Sequence, residues 1–441
     1  MASRRAAVDL ISVNAIPAIA GILVMALALR LGVLWKYSSH LQDDHDNYRR
    51  IAQEVALWKG CVDPDTAQPT AYRPPLYPWL LAIIIYCGGH DVAIGIVHAL
   101  LGVATVALAM DVGRRLGLGR GSFIAGALVA VDPLLLYQTV QVMTETTAAF
   151  LAGLCLWLFL RPATTVNGLA IGLVFGAACL CRPTFWAFGA LATACWLVVH
   201  IRSIDWLEGF SDGGLRPAVV VVAGVLTVIG PWMMRNSKLL RSPVITTTHG
   251  GYTLLLPHND FYTRDVVQKP WGTVWPSASF DEWTVSVEGQ LATINPPLDR
   301  AHLWSGAEVA RDDWMNRQAL RYIRNDPRTA LRSGLTLLGR MWSIAPATTG
   351  DASRSTALRV AIGVFYVPVL VAMLVGMFRV ATKSWKTWWP PLVLILGFTC
   401  VHALYWADMR MRAPLVPAIA LLATASCITL KRSSKGRPRS N

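Results

Sequence analysis

The sequence predicts an all-α polytopic membrane protein that crosses the bilayer about ten times. Hydrophobic residues make up 54% of the 441 residues and charged residues only 15%, and the hydrophobic residues are gathered in long separate blocks. A helix needs about 20 mostly apolar residues to cross a bilayer, which soluble proteins rarely contain. The blocks that reach or approach this length are residues 10–34, 91–112, 121–138, 146–160, 167–181, 184–200, 217–235, 357–378, 388–406 and 413–430.

The positions of Lys and Arg indicate how these blocks are oriented. Basic residues cluster at the N-terminus, after the second block and in the C-terminal tail, and ten alternating spans place these clusters on one side. Because cytoplasmic loops are enriched in Lys and Arg, we expect both termini in the cytoplasm and the protein in the bacterial inner membrane. The blocks 146–160 and 167–181 are short, so a count that differs by two stays open.

Composition argues against several other classes of protein. The net charge is +14, but the basic residues lie in short clusters beside apolar blocks, which is typical of topology signals and not of nucleic-acid binding. Six of the eight cysteines lie in or beside apolar blocks and no CxxC pattern occurs, so neither a disulfide framework nor a zinc site is expected. The absence of P-loop, GxGxxG, HExxH and GxSxG motifs argues against nucleotide, zinc-protease and serine-hydrolase chemistry.

The predicted topology divides the chain into three parts. Residues 1–235 form a transmembrane module that carries the first outer loop, residues 35–90. Residues 236–356 form a large outer segment, and residues 357–441 hold the last transmembrane helices and a basic cytoplasmic tail. The first outer loop and the outer segment face the same compartment, so one site can draw on both.

Short stretches in these outer parts predict helices that lie along the membrane surface. In the first outer loop, residues 51–58 and 74–87 can form helices but are too short to cross the bilayer. In the outer segment, residues 328–342 place leucines and arginines on different faces of one helix.

Carboxylates occur at two places on the predicted outer side. Asp43, Asp44 and Asp46 follow the first span, and such a cluster by itself is most simply a solvated acidic loop. Glu145 lies at the outer end of the fourth block, where a carboxylate is costly unless it faces a polar cavity or a partner. Two acidic positions that open on one side favour a shared site. Asp132, which precedes a proline, either joins this site or only ends a helix.

Arginine is also present on the predicted outer side, against the usual trend. Such an arginine either meets an anion or extends to the lipid headgroups, and its planar guanidinium suits a phosphate or pyrophosphate. The arginines concerned are Arg73, Arg182, Arg235, Arg410 and Arg412.

A general base and phosphate-binding cations are the minimum for inverting transfer of a sugar from a lipid phosphate. The base takes the proton of an acceptor hydroxyl, and the cations stabilise the phosphate that leaves. The sequence supplies both kinds of group on the outer side, which favours a glycosyltransferase.

Six short segments occur in order along nearly the whole chain. They are DHDNYRRIA from Asp44, YRPPLYPWLLA at 72–82, MTET at 143–146, CLCRPT at 179–184, PWMMRN at 231–236 with the following THGGYTLLLPHN, and HALYWADMRMRAPLVP at 402–417. Together they resemble the bacterial membrane glycosyltransferases of the GT-C fold, similar to the protein mannosyltransferase and aminoarabinose transferase families. The set is specific for this superfamily and not for a substrate.

The resemblance implies a polyprenyl-phosphate sugar donor that enters from the membrane lipid and transfer to a lipid, glycan or protein acceptor on the outer face. The family's acidic residue four positions before a tyrosine corresponds to Asp44 before Tyr48. Asp44 is therefore the expected general base, with Asp43 and Asp46 as alternatives. Glu145 matches the second acidic position, which would hold the acceptor or the base, or bind a divalent metal in members that use one.

The same resemblance assigns the cations. Arg410 and Arg412 match a basic pair before a proline and would contact the donor phosphate, and Arg73 would do the same or only fix a surface helix. The expected substrate-binding residues are Asp46, Tyr48, Arg73, Arg235, Arg410 and Arg412. No cofactor is required by the sequence, and a divalent metal stays open.

Two other interpretations stay open. A transporter or flippase for a polyprenyl-linked or anionic substrate also uses intramembrane charges, but it should show matching broken helices in two halves. An inactive envelope scaffold would need neither Asp44 nor Glu145. We expect the chain to lack the large C-terminal soluble domain found in some members of the family it resembles, and residues 236–356 then to select the acceptor.

Overall fold

The computed structural model describes residues 15–162, 164–201, 216–298, 306–347 and 356–428. Within these ranges the regular secondary structure is helical, apart from one isolated bridge between Val62 and Pro69. The predicted all-α class is confirmed. The basic clusters at both termini, which support the topology prediction, lie outside the described residues.

The α-helices are numbered in chain order. They are α1 (Ile16–Tyr37), α2 (Tyr48–Ala56), α3 (Leu76–Tyr86), α4 (Asp91–Arg115), α5 (Gly121–Val131), α6 (Pro133–Gln138), α7 (Glu145–Phe159), α8 (Thr165–Cys181), α9 (Phe185–Ile201), α10 (Arg216–Leu239), α11 (Gly250–Leu255), α12 (Asp260–Tyr262), α13 (Ser277–Ala292), α14 (Ala307–Asn325), α15 (Pro327–Met341), α16 (Thr356–Lys383), α17 (Trp385–His402) and α18 (Val416–Ala425).

Helices α1, α4, α10 and α16 are long and apolar enough to cross a bilayer, so the chain is a multi-pass integral membrane protein. Helices α5, α7, α8 and α9 are apolar but shorter, and the number of crossings stays a prediction. The predicted block 121–138 is two helices. The division falls at Asp132 because the residue before a proline is disfavoured in the helical conformation.

Small residues allow close packing of helices α8 and α10. A Cβ atom at Gly172 would overlap the carbonyl oxygen of Val221, and one at Gly224 would lie 2.9 Å from the carbonyl oxygen of Leu169. Small residues are enriched where membrane helices approach each other closely. This pair joins the bundle in which α4 packs against α1, α5 and α7.

The first outer loop contains the two short helices that the sequence predicts, α2 and α3. They pack on each other through Tyr48 and Tyr77, whose rings meet edge to face at 5.2 Å. Trp58 and Tyr86 are exposed at the far ends of this pair and also contact each other. The position of these helices on the membrane surface stays a prediction.

The outer segment has an aromatic core of its own between α11 and α14. Tyr262, Trp275 and Trp283 are buried there. Helix α15 closely matches the helix predicted at 328–342, and it begins where the Asp326 side chain accepts a hydrogen bond from Thr329 N. Its contact with the membrane surface is likewise a prediction.

Helix α14 ties the outer segment to the first outer loop. The Glu308 carboxylate accepts hydrogen bonds from Thr70 Oγ1 (2.5 Å), Ala71 N (2.8 Å) and Thr248 Oγ1 (2.5 Å). One turn later, Asp312 Oδ1 accepts a hydrogen bond from Gly251 N (2.6 Å). The two chain segments that precede Arg73 and His249 are thus held by one helix.

Candidate active site

A cavity of about 2140 Å³ lies where the first outer loop, the outer segment and the loop before α18 meet. Charged and aromatic side chains both line it. The charged residues on its wall are Asp46, Arg73, Glu145, Arg182, Arg340, Arg359, Asp408 and Arg410. Several come from distant parts of the sequence, so the cavity is a product of the tertiary fold.

Asp46 and Arg73 form an ion pair on the cavity wall. Arg73 Nη2 lies 2.7 Å from Asp46 Oδ1, and Arg73 Nε donates to the main-chain oxygen of Asp46 at 3.0 Å. The Arg73 guanidinium also lies over the ring of Tyr48 at 5.4 Å. Tyr48 is almost fully buried, and burial raises its pKa to about 12. Three expected substrate-binding residues, Asp46, Tyr48 and Arg73, thus line the cavity.

Asp44 has a different position from the one expected of a general base. Its two carboxylate oxygens accept hydrogen bonds from the backbone N–H groups of Arg49 (3.2 Å) and Arg50 (3.0 Å), in the first turn of α2. A carboxylate at this place satisfies free N–H groups and complements the helix dipole. Asp44 does not line the cavity, whereas Asp46 does.

Glu145 is the most deeply buried carboxylate of the cavity wall. It is 2% exposed and begins α7. Its Oε1 lies 3.4 Å from Arg182 Nη1 and 3.9 Å from Arg410 Nε. Arg182 reaches it because α8 ends just before Pro183, so the chain is extended at Arg182. The cost of burying this carboxylate is offset by two cations.

Arg410 lies between the two carboxylates. Its Nη1 is 4.0 Å from Asp46 Oδ2, its Nε is 3.9 Å from Glu145 Oε1, and Nε also donates to Asp408 Oδ2 at 3.1 Å. Burial lowers the pKa of this guanidinium, but the charges of Asp408, Glu145 and Asp46 outweigh burial and raise it overall. Arg410 is permanently charged and bridges the two acidic positions.

His249 is a cavity residue that the sequence analysis did not single out, although it lies in the quoted THGG motif. Its Nε2 lies 3.4 Å from Arg73 Nη1, so Nε2 accepts and the proton resides on Nδ1. Burial lowers the pKa of His249 well below its usual range, and Arg73 and Arg410 lower it further. A neutral His249 can orient Arg73 without adding positive charge.

Two expected substrate-binding arginines do not line the cavity. Arg412 is fully buried, and its Nη1 donates to the main-chain oxygens of Met341 (3.4 Å) and Ser343 (2.9 Å). Arg235 donates to the main-chain oxygens of Thr70 (2.9 Å) and Cys61. Both guanidiniums bind main-chain oxygens of other segments, and a phosphate contact of either arginine stays a prediction.

Asp132 also has a structural position. Its side chain accepts a hydrogen bond from Leu135 N at 2.9 Å, which begins α6, and from the Tyr366 hydroxyl at 3.1 Å. Of the two alternatives for Asp132, the structure favours a residue at a helix boundary over a member of the site.

The described residues include no group of three or more His, Cys, Asp or Glu side chains placed to hold a metal ion. Asp46 and Glu145 face guanidinium groups. We therefore derive no step that needs a metal.

The chain is similar to known proteins in sequence and in fold. The sequence model of the family described as dolichyl-phosphate-mannose-protein mannosyltransferase matches residues 72–234. Archaeal oligosaccharyltransferase AglB from Archaeoglobus fulgidus, in complex with an inhibitory peptide and a dolichol-phosphate, superposes with a TM-score of 0.54 over 94% of this chain at 14% identity. The chain has the GT-C fold. The resemblance to GT-C membrane glycosyltransferases that the sequence predicts is confirmed.

The GT-C chain described here spans about half the length of AglB, since it covers 50% of AglB in that complex. The apo form of the same oligosaccharyltransferase gives a TM-score of 0.51 at 14% identity, over 92% of this chain and 50% of the other. ArnT from Cupriavidus metallidurans, bound to undecaprenyl phosphate, gives 0.41 at 17% identity, over 92% of this chain and 77% of the other. No curated protein matches the sequence.

Proposed function

We propose that the chain is a glycosyltransferase that moves a hexosyl or pentosyl group from a polyprenyl-phosphate donor to an acceptor on the outer face of the bacterial inner membrane. Both termini are then cytoplasmic, and the cavity opens to the periplasm. The matched family is described as dolichyl-phosphate-mannose-dependent, and the AglB structure holds a dolichol-phosphate. These two relatives support a lipid-phosphate donor.

The main support for the proposal is the position of Arg410, which lies between Asp46 and Glu145 in the cavity. Transfer needs a cation for the leaving phosphate beside a carboxylate that can accept a proton. Arg73 and Arg182 add two further guanidiniums to the same wall. A phosphate that entered here would meet preorganised donors, which suit its charge and geometry.

In the proposed reaction, Asp46 is the general base. The oxygen of an acceptor hydroxyl bonds to the anomeric carbon as the bond from that carbon to the phosphate oxygen breaks. The hydroxyl proton passes to the Asp46 carboxylate, and the bonding electrons leave with the polyprenyl phosphate, whose charge Arg410 stabilises. Glu145 holds Arg410 and Arg182 in place. The attack opposite the leaving group inverts the anomeric configuration.

Asp46 is preferred to Asp44 because of what each carboxylate touches. Both Asp44 oxygens are used by the N–H groups that begin α2, so a proton placed there would break a helix contact. Asp46 lines the cavity, and its Oδ2 is 4.0 Å from Arg410. It can reach a bound hydroxyl with the cation for the leaving group beside it.

The test is transfer of radiolabelled sugar from a panel of hexosyl and pentosyl polyprenyl phosphates in membranes that contain the wild type or Asp46→Asn. We expect transfer with at least one donor and a loss of about 100-fold or more in the variant, the usual scale for removing a general base. If no donor is used and the labelled lipid instead crosses the bilayer, the chain is a transporter and the proposal is wrong.

A further inference from the structure

Aromatic side chains of residues 236–356, together with Trp406, line the cavity. The rings are those of Tyr252, Trp271, Trp275, Phe280 and Trp406. Trp275 contacts Phe280 and Trp406, with ring centres 5.3 Å and 6.3 Å apart. Most of these rings belong to residues 236–356, the segment expected to select the acceptor.

Trp271 differs from the other rings because it is 74% exposed. Its backbone forms a defined turn. Thr273 N donates to the main-chain oxygen of Pro270 at 3.2 Å, and Gly272 has a φ of +92°, as the third residue of a type II turn requires. The Arg340 guanidinium fixes this turn by donating to the main-chain oxygen of Thr273 at 2.8 Å.

The indole of Trp271 lies directly on helix α15 at Gly339. A Cβ atom at Gly339 would overlap the six-membered ring, so the absence of a side chain there makes the contact possible. The six-membered ring therefore packs against α15 at Gly339 while most of the indole stays exposed. An aromatic ring exposed on a cavity wall offers a face on which a ligand can stack.

Polar side chains on α15 or just after it line the same cavity as Trp271: Thr336, Arg340 and Ser343. Thr336 Oγ1 donates to the main-chain oxygen of Arg332 at 3.0 Å and Ser343 Oγ to that of Ala345 at 2.6 Å, so each hydroxyl oxygen can still accept a hydrogen bond from a ligand. A polyprenyl chain has no group to hydrogen-bond with them. A sugar ring has both parts: a face of C–H groups that stacks on an aromatic ring, and hydroxyls at its edge.

We propose that Trp271 is the floor of a subsite for a sugar ring of the acceptor, so that the acceptor is a saccharide or a molecule that carries one. This inference rests on the proposed glycosyltransferase function and adds the class of acceptor. The competing explanation is a membrane-surface anchor, because Leu331 and Leu335 are exposed on the same helix. Trp58 is 85% exposed and does not line the cavity, so it serves as the control for an exposed Trp outside the site.

The experiment uses the full chain in lipid nanodiscs with 5-fluorotryptophan, and the Trp271 fluorine signal is assigned by its loss in Trp271→Phe. Methyl glycosides of hexopyranoses and pentofuranoses are the probes. We expect at least one to shift this signal and to receive saturation transfer from the protein. Trp271→Ala and Gly339→Ala, which displaces the ring, should each reduce that transfer about tenfold, a scale that fits one lost ring contact. Trp58→Ala should leave it unchanged.

Two results would overturn the subsite. One is that no methyl glycoside shifts the Trp271 signal. The other is that spin-labelled lipid headgroups broaden the signal while glycosides leave it unchanged, which makes Trp271 a membrane anchor. Binding of undecaprenyl phosphate is measured in the same nanodiscs. If glycosides shift Trp271 but undecaprenyl phosphate does not bind, the proposed function fails and the saccharide subsite stands.

Discussion

The guanidinium of Arg412 lies 4.2 Å from the centre of the Tyr366 ring. This contact joins the loop before α18 to helix α16, and Arg412 is fully buried there. Arg410, two residues earlier, lines the cavity and faces Glu145. The short 3-10 helix Met409–Leu415 thus places two arginines in different environments, and of the two Arg410 lines the cavity.

The two arginines should therefore respond differently to substitution. Arg410→Ala should weaken binding of undecaprenyl phosphate by about 30-fold, or about 2 kcal/mol, because a charge-assisted contact is lost. Arg412→Ala should leave this affinity unchanged but lower the free energy of unfolding by about 2 to 3 kcal/mol. Lipid binding and thermal unfolding in nanodiscs measure the two effects. If the Arg412→Ala variant is stable but binds the lipid more weakly, Arg412 contacts the donor phosphate.

Asp44 and Asp46 form a second matched pair. Asp44→Asn should keep transfer within a few-fold of the wild type, because an amide oxygen can still accept one N–H of α2. Asp44→Ala should lower the free energy of unfolding by about 1 kcal/mol, the usual value of such a helix cap. Initial transfer rates and thermal unfolding check both. Full loss of transfer in Asp44→Asn, with Asp46→Asn active, would make Asp44 the base as the sequence suggests.

Glu308 should influence the site through Arg73 and His249, which it does not touch. Glu308→Ala removes the acceptor that holds residues 70–71 and Thr248, so we expect kcat to fall about tenfold, in line with a misplaced catalytic group. Glu308→Gln should stay near the wild type, since its amide can satisfy the same partners. The neighbouring exposed Asp313→Asn is the control. Equal kcat values for Glu308→Ala and the wild type would show that residues 70–71 and Thr248 keep their positions without Glu308.

The stability of the outer segment should depend on pH through Asp312. Burial raises the pKa of Asp312 from 3.8 to about 6. A raised pKa gives stability that is fully present below pH 3.8 and is lost as the pH rises through about 6. Asp312→Asn lacks this dependence, so its advantage over the wild type should grow between pH 4.5 and 7.5, to about 2 to 3 kcal/mol at most. Thermal unfolding at several pH values measures the difference, and a constant difference contradicts the assignment.

Much of the fold could be predicted from composition and hydrophobic length alone. The apolar blocks, the short helices α2 and α3 and the helix α15 all occur close to their predicted positions. The expected site residues fall into two groups: Asp46, Tyr48, Arg73, Glu145 and Arg410 line one cavity, while Asp44, Arg235 and Arg412 do not line it. A short motif such as RMR contains two arginines of equal chemistry, and only the packing around a helix decides which one is buried.

The sequence by itself determined that this chain is a helical membrane protein with acidic and basic groups in the segments between its apolar blocks, because hydrophobic length and charge are local properties. The tertiary structure decided which of those groups meet. It turned Asp44 to the start of α2 and Asp46 to the cavity, and it brought Arg410 between Asp46 and Glu145. These positions depend on contacts between residues far apart in the chain, and such contacts cannot be predicted from a local sequence pattern.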